Sequence, residues 1–108
     1  MSTPTNILRA AANLLDRPGA WTQGTDARDA TETSCEPRAD DAVSWCAAGA
    51  IMRVAEDGDG VYVDARARLR ETLVRAEHEC LIGLWNDKRG RTQSQVVAML
   101  RRAAEEEA

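Results

Sequence analysis

Apolar side chains recur at helical spacing over most of this chain, and the places where that rhythm breaks mark its elements. Thr3 followed by Pro4 has the form of an N-cap with proline at the first helical position. Ile7, Leu8, Ala11, Leu14 and Leu15 then fall along one side, predicting a helix to about Asp16 that Pro18 and Gly19 end. From Ala20 to Pro37 the character changes. Trp21, Thr22 and Gln23 suit an extended segment, Gly24 to Glu36 is polar and rich in Thr and Asp, and a short strand or hairpin near residues 20–36 fits this composition. Asp40 or Asp41 can cap a second helix over Ala42 to Ala55, where only Ser44 and Arg53 are clearly polar. A helix apolar on nearly every side is normally enclosed by others, which makes this one the central core helix. Glycine is unfavourable inside a helix, so Gly49 within Ala47-Ala48-Gly49-Ala50 implies that another backbone passes too close for a side chain.

Glu56 to Gly60 reads as a turn, and a long helix is expected to begin near Val63 and continue through Trp85. At about 100 degrees per residue, Leu69, Leu73, Ala76, Cys80 and Leu84 form one apolar stripe and Val74, His78, Leu81 and Trp85 a second, roughly opposite. Such a helix needs cover on both sides, from its own chain or from a partner. Asn86 to Arg91 is a polar connection. Thr92-Gln93-Ser94-Gln95 matches the capping box, in which the hydroxyl and the amide satisfy each other's backbone N–H groups, and Val96, Val97, Leu100, Ala103 and Ala104 follow as the buried face of a last helix. The predicted fold is mainly α: a single compact domain over residues 1–108, four helices around a buried central helix, with a short extended or hairpin element near residues 20–36.

Composition narrows the range of functions. With 108 residues, 44% hydrophobic and 30% charged, the chain has enough apolar content for one core. No Phe and one Tyr leave aliphatic residues and three Trp to fill it. The net charge is −4, and the basic residues alternate with acids instead of gathering on a face, so direct nucleic-acid binding is not expected. Three widely spaced cysteines do not make a disulfide framework, and the N-terminal residues lack the basic start and apolar stretch of a signal peptide. The apolar runs are too short to span a bilayer. These features point to a cytoplasmic protein without membrane contact.

Catalytic and metal chemistry find little support. In Asp57-Gly58-Asp59-Gly60 a calcium loop starting at Asp57 would place Val61 and Arg68 where ligands belong, so a structural turn is the better reading. No C-x-x-C pair exists, and His78 and Cys80 point to nearly opposite sides of the expected helix, which argues against zinc. Cys46 and Cys80 lie on apolar surfaces and His78 among Val74, Leu81 and Trp85, settings in which such residues are usually core. No enzyme activity, cofactor or metal is therefore expected. The three Trp motifs are more suggestive. Trp21 and Trp85 stand at element ends beside Gln23, Arg28, Asn86, Asp87 and Arg89, so the indoles could wall a ligand or partner site that those polar groups line. The plainer alternative has the indoles closing the ends of a core that lacks Phe, with Asn86 and Asp87 as cap and turn.

The motifs W-T-Q-G at Trp21 to Gly24, W-C-A-A-G-A at Trp45 to Ala50, W-N-D at Trp85 to Asp87 and G-R-T at Gly90 to Thr92 resemble those of a family of small bacterial and phage-encoded proteins known as a domain of unknown function. The resemblance implies a compact, mostly helical cytoplasmic protein and carries over no activity, cofactor or catalytic residue. Three functional expectations follow. The first is a non-catalytic protein-binding module, a small regulator or adaptor with a protein partner or a homodimer. The second is a phage or mobile-element inhibitor of a bacterial defence complex, an anti-CRISPR-like acidic protein. The third is a small-molecule binder using the Trp21/Trp85 region. Replacing the capping hydroxyl, Thr92→Ala, is expected to cost about 1 kcal/mol in chemical denaturation.

Overall fold

A computed structural model describes residues 3–55 and 59–106. Its elements run α1 (Pro4–Leu15), β1 (Ala27–Asp29), β2 (Ala42–Trp45), α2 (Ala47–Val54), α3 (Asp59–Glu77), α4 (Ile82–Asp87) and α5 (Gln93–Glu105). The described residues thus form a mainly helical domain of five helices with one two-stranded antiparallel sheet.

The two best-signalled helix starts form as their residues dictate. The Thr3 side chain accepts the Asn6 amide at 3.1 Å with Pro4 opening α1. Thr92 and Gln95 complete the reciprocal capping box of α5. α1 packs its buried face of Ile7, Leu8, Ala11, Ala12 and Leu15 against α5, α2 and α3. Leu8, Leu15, Ile51, Leu69, Leu73 and Leu100 are the largest apolar side chains fully withdrawn from solvent. Alanines at 11, 12, 47, 50, 65, 103 and 104 let the helices approach closely around them.

The expected central helix over Ala42 to Ala55 begins later than its apolar run. Ala42 to Trp45 is strand β2, paired antiparallel with β1 in the register Ala27 to Trp45, Arg28 to Ser44 and Asp29 to Ala42, with an irregularity between Arg28 and Asp29. The extended element foreseen near residues 20–36 is present as β1, and Trp21 adds a bridge on the other side of Trp45. Cys46 joins strand to helix. Its backbone is extended, and its thiol sulfur accepts the Gly49 amide at 3.3 Å, so a cysteine serves as the N-cap of α2. Burial pushes this thiol up to about 11, the Gly49 and Ala48 amides acting in the opposite direction.

The close approach anticipated at Gly49 is real. A Cβ there would stand 2.0 Å from the Asp26 carbonyl oxygen, the same oxygen that accepts the Cys46 amide at 3.1 Å. The loop between β1 and β2 is then tied down from α2. Arg53 donates to the Ala39 carbonyl at 2.7 Å and lies over the Trp45 ring, and Arg38 donates to the Met52 and Ala55 carbonyls at the end of α2. At the opposite end, Arg68 of α3 reaches the Ala104 and Glu106 carbonyls and the Thr5 hydroxyl. The Glu106 carboxylate returns to Arg75, buried Thr72 and Arg102, and the Arg75 contact above all holds its carboxyl below the ordinary glutamate value.

The long helix expected from Val63 through Trp85 is the second correction. It starts at Asp59 and ends at Glu77, because His78 adopts a left-handed conformation with φ +55, and the chain resumes helix only at Ile82. Four expected helices become five. The break re-sorts the two apolar stripes. Trp85 turns inward and is buried, whereas His78, Cys80, Leu81 and Leu84 are exposed, so His78 and Cys80 are not the core residues their spacing suggested. The turn expected over Glu56 to Gly60 falls largely outside the described residues, with 59–60 already helical.

The left-handed cap gives a prediction whose sign discriminates. A non-glycine residue there is strained, so His78→Gly should leave stability unchanged or raise it by up to about 1 kcal/mol in urea denaturation. Were the helix continuous through 78, the same change would cost about 1 kcal/mol.

Candidate functional site

Five of the six residues singled out as a candidate site meet at one place. The Asn86 side chain lies at its centre, fully buried on α4. Its Oδ1 accepts the Trp21 indole N–H at 2.8 Å and the Ala47 amide at 3.0 Å. Its Nδ2 donates to the Thr22 carbonyl at 3.1 Å and to Asp87 Oδ1 at 2.9 Å. A carboxamide has two donor hydrogens and two acceptor lone pairs, so this one is saturated, and its orientation is set by the two N–H groups facing one atom.

Around it the Trp21-to-Gly24 segment docks on α4. Gln23 Nε2 donates to the Asn86 and Lys88 carbonyls at 3.0 and 3.1 Å, and the Gly24 amide donates to Asp87 Oδ1 at 2.9 Å. Gly24 has φ +85, a conformation that suits glycine and turns its amide onto that carboxylate. Arg28 holds the segment from the other side, donating to the Thr22 hydroxyl at 3.0 Å and the Gln23 carbonyl at 3.1 Å. Arg89 stands outside this network, exposed. The indole of Trp21 and the amides of Gln23 and Asn86 are thus engaged with each other and with the backbone. Among the described residues no buried side-chain nitrogen or oxygen lacks a partner.

A second feature, not anticipated from the sequence, lies where α3 stops. A cleft of about 430 Å³ opens there, lined by Glu77, His78, Glu79, Leu84, Trp85, Lys88 and Arg91. Arg91 is well fixed. Its guanidinium lies 4.2 Å from the Trp85 ring centroid, its Nε donates to the Trp85 carbonyl at 2.9 Å, and it stands 3.9 Å from Glu77. The Trp85 indole donates to Glu77 Oε1 at 3.2 Å, and Glu79 accepts the Cys80 amide at 3.0 Å. Both glutamates are therefore turned toward protein donors, and neither orients the His78 ring as an acid–base partner would. Spacing could not reveal this cleft, since it depends on a break at His78 that neither proline nor glycine announces.

Cys35 and Cys46 are partly or wholly buried, and burial raises both thiols. Among the described residues no three His, Cys, Asp or Glu side chains come together as a metal-ligand group, and no helix is long and apolar enough to cross a membrane.

These features define a small helical domain whose Trp-containing segments converge on one buried carboxamide. The chain belongs to DUF6197, a family of unknown function, which matches residues 1–106. No curated protein and no solved structure matches it.

Removing the central carboxamide tests the site as a structural knot. Asn86→Ala leaves the Trp21 and Ala47 N–H groups and the Thr22 carbonyl without partners and should cost at least about 3 kcal/mol in chemical denaturation. Arg89→Ala, outside the network, should stay within about 0.5 kcal/mol of the parent.

Proposed function

We propose that this chain is a non-catalytic protein-binding module, a small cytoplasmic regulator or adaptor that acts through the face of α3 and α4. The supporting observation is what the fold leaves uncovered. Val63 is 57% exposed, Val74 44%, Leu81 54% and Leu84 61%, all on α3 or at α4. Exposed apolar residues are ordinary when scattered, but among the described residues four of the five large ones, all but Val43, are carried by α3 or stand at α4, which favours that part of the fold as the place that receives a partner. Val74 and Leu81 belong to the stripe that helical spacing marked as needing cover. Within α3, packing in this chain covers the opposite stripe, with Leu69 and Leu73 fully buried, and leaves Val74 open, and beyond the break Leu81 is open too.

The chemistry of the remaining groups supports a binding role over a catalytic one. The Cys46 thiol is pushed up to about 11 and occupied as a helix cap, which keeps it protonated at neutral pH. The polar groups near Trp21 saturate one another and offer little to a small ligand.

A photoreactive amino acid placed at Leu81, compared with one at exposed Glu32 in the loop between β1 and β2, tests the reading in living cells. Protein adducts are expected at 81 and not at 32. No adduct at 81, or the same adducts at both positions, overturns it.

A further inference from the structure

We infer that Thr72, Arg75 and Arg102 form a receptor for a carboxylate, occupied within the chain by Glu106, and that this occupant gives way to an acidic residue of a partner protein. The site goes beyond the α3–α4 corner, since neither its occupant nor its test involves Leu81. Two helices converge on one side chain there. Glu106 Oε2 accepts the Thr72 hydroxyl at 2.9 Å and an Arg75 N–H, both from α3, and Oε1 accepts Arg102 Nε of α5 at 3.2 Å. Each carboxylate oxygen is thus met from a different helix, and Thr72, which supplies the innermost donor, is fully buried. Arg68 Nε donates to the Glu106 carbonyl at 3.1 Å, so the main chain and the side chain of a single acidic residue are both held. That residue is extended, with φ −76 and ψ 130, a shape that an acidic segment of another protein can present equally well.

Glu106 can leave without disturbing what holds it. Arg75 and Arg102 are about half exposed and Glu106 about a quarter, and ion pairs with that much access to water are weak. The Thr72 hydroxyl has one proton and a second acceptor, the Arg68 carbonyl at 3.1 Å, so on departure of Glu106 it turns to that oxygen and no buried donor is stranded. Arg68 keeps its place through the Thr5 hydroxyl and the Ala104 carbonyl. The buried residues of α5 end at Ala104, ahead of the clasp, so opening it spares the core. Three guanidinium groups then stand with no other carboxylate within 4 Å among the described residues, and a second acid from outside restores the charge-assisted bonds that Glu106 gave up. The resident group is itself a carboxylate, which favours an acidic peptide over a phosphate.

Titration of the full chain with acetyl-Glu-Glu-Glu-amide, followed by calorimetry and by the side-chain N–H resonances of Arg75 and Arg102, tests this. In the wild type the tethered Glu106 competes at high local concentration, and binding is expected to be weak. Glu106→Ala should bind the peptide at least tenfold more tightly, with no binding of acetyl-Gln-Gln-Gln-amide to either chain. Glu106→Gln removes the charge and keeps the length; it should shift affinity in the same direction, which covers a Glu106→Ala chain that does not fold. Adding Thr72→Val or Arg75→Ala to the Glu106 variant should cancel the gain. Equal affinity of the wild type and the Glu106 variants, a gain that survives Arg75→Ala, or a gain for inorganic phosphate alone would each overturn the receptor and leave Glu106 as a clasp for the end of α5. Adducts at Leu81 do not depend on any of these results, so the receptor and the binding face of α3 and α4 can fail separately.

Discussion

The Asn86 carboxamide is the contact on which the arrangement of this molecule depends, because it ties its own α4 to two other segments at once. Its oxygen completes the first turn of α2 and holds the Trp21 indole, and its nitrogen anchors the Thr22 carbonyl. Helix starts leave backbone N–H groups without internal partners. At α2 those donors are met by two groups of unlike origin, the Asn86 oxygen at Ala47 and the Cys46 sulfur at Gly49. With that turn fixed, the Asp26 carbonyl can lie across Gly49, and β1 is thereby held against β2. A buried polar network of this kind is stabilising only when every member is matched, and here each is.

Arginine plays a similar part elsewhere. Thirteen of the fourteen basic residues are Arg, and several of them end on backbone carbonyls instead of carboxylates. Arg38 and Arg53 fasten the loop before β2 to α2, Arg68 closes the end of α5, Arg28 holds the Trp21 segment and Arg91 the end of α4. A guanidinium offers five donors in a planar fork and can bridge carbonyls from two segments, which a single ammonium does less well. The Arg-rich composition therefore has a structural reason that charge balance alone does not express.

The elements with a local chemical signal were legible in the sequence. Thr3-Pro4, the capping box at Thr92 and the crowded Gly49 each rest on a preference that neighbouring residues satisfy, and each is present. Two elements were not legible. A short run apolar on both faces, such as Ala42 to Trp45, has no periodicity to separate a buried strand from a buried helix. The stop at His78 uses a left-handed residue that is not glycine, and without it Cys80 and Leu84 read as one apolar stripe and Trp85 as part of a second, opposite stripe in need of its own cover. The candidate site was legible as a gathering, since Trp21, Gln23, Arg28, Asn86 and Asp87 do meet. Their use was not, because most of their partners are backbone groups that carry no identity in a sequence.

The span of chain closed by these contacts bears on how the protein comes into being. Trp21 and Asn86 are 65 positions apart, Ala47 and Asn86 are 39 apart, and α1 packs on α5. Contacts this distant form late, after the cost of closing long loops has been met. During synthesis, a nascent chain that has not yet released Asn86 from the ribosome has an unmatched Ala47 amide at the start of α2 and an unmatched Trp21 indole. The native setting of α2 and of the Trp21 segment therefore depends on a residue far along the chain, and a stretch that ends before Asn86 lacks both contacts.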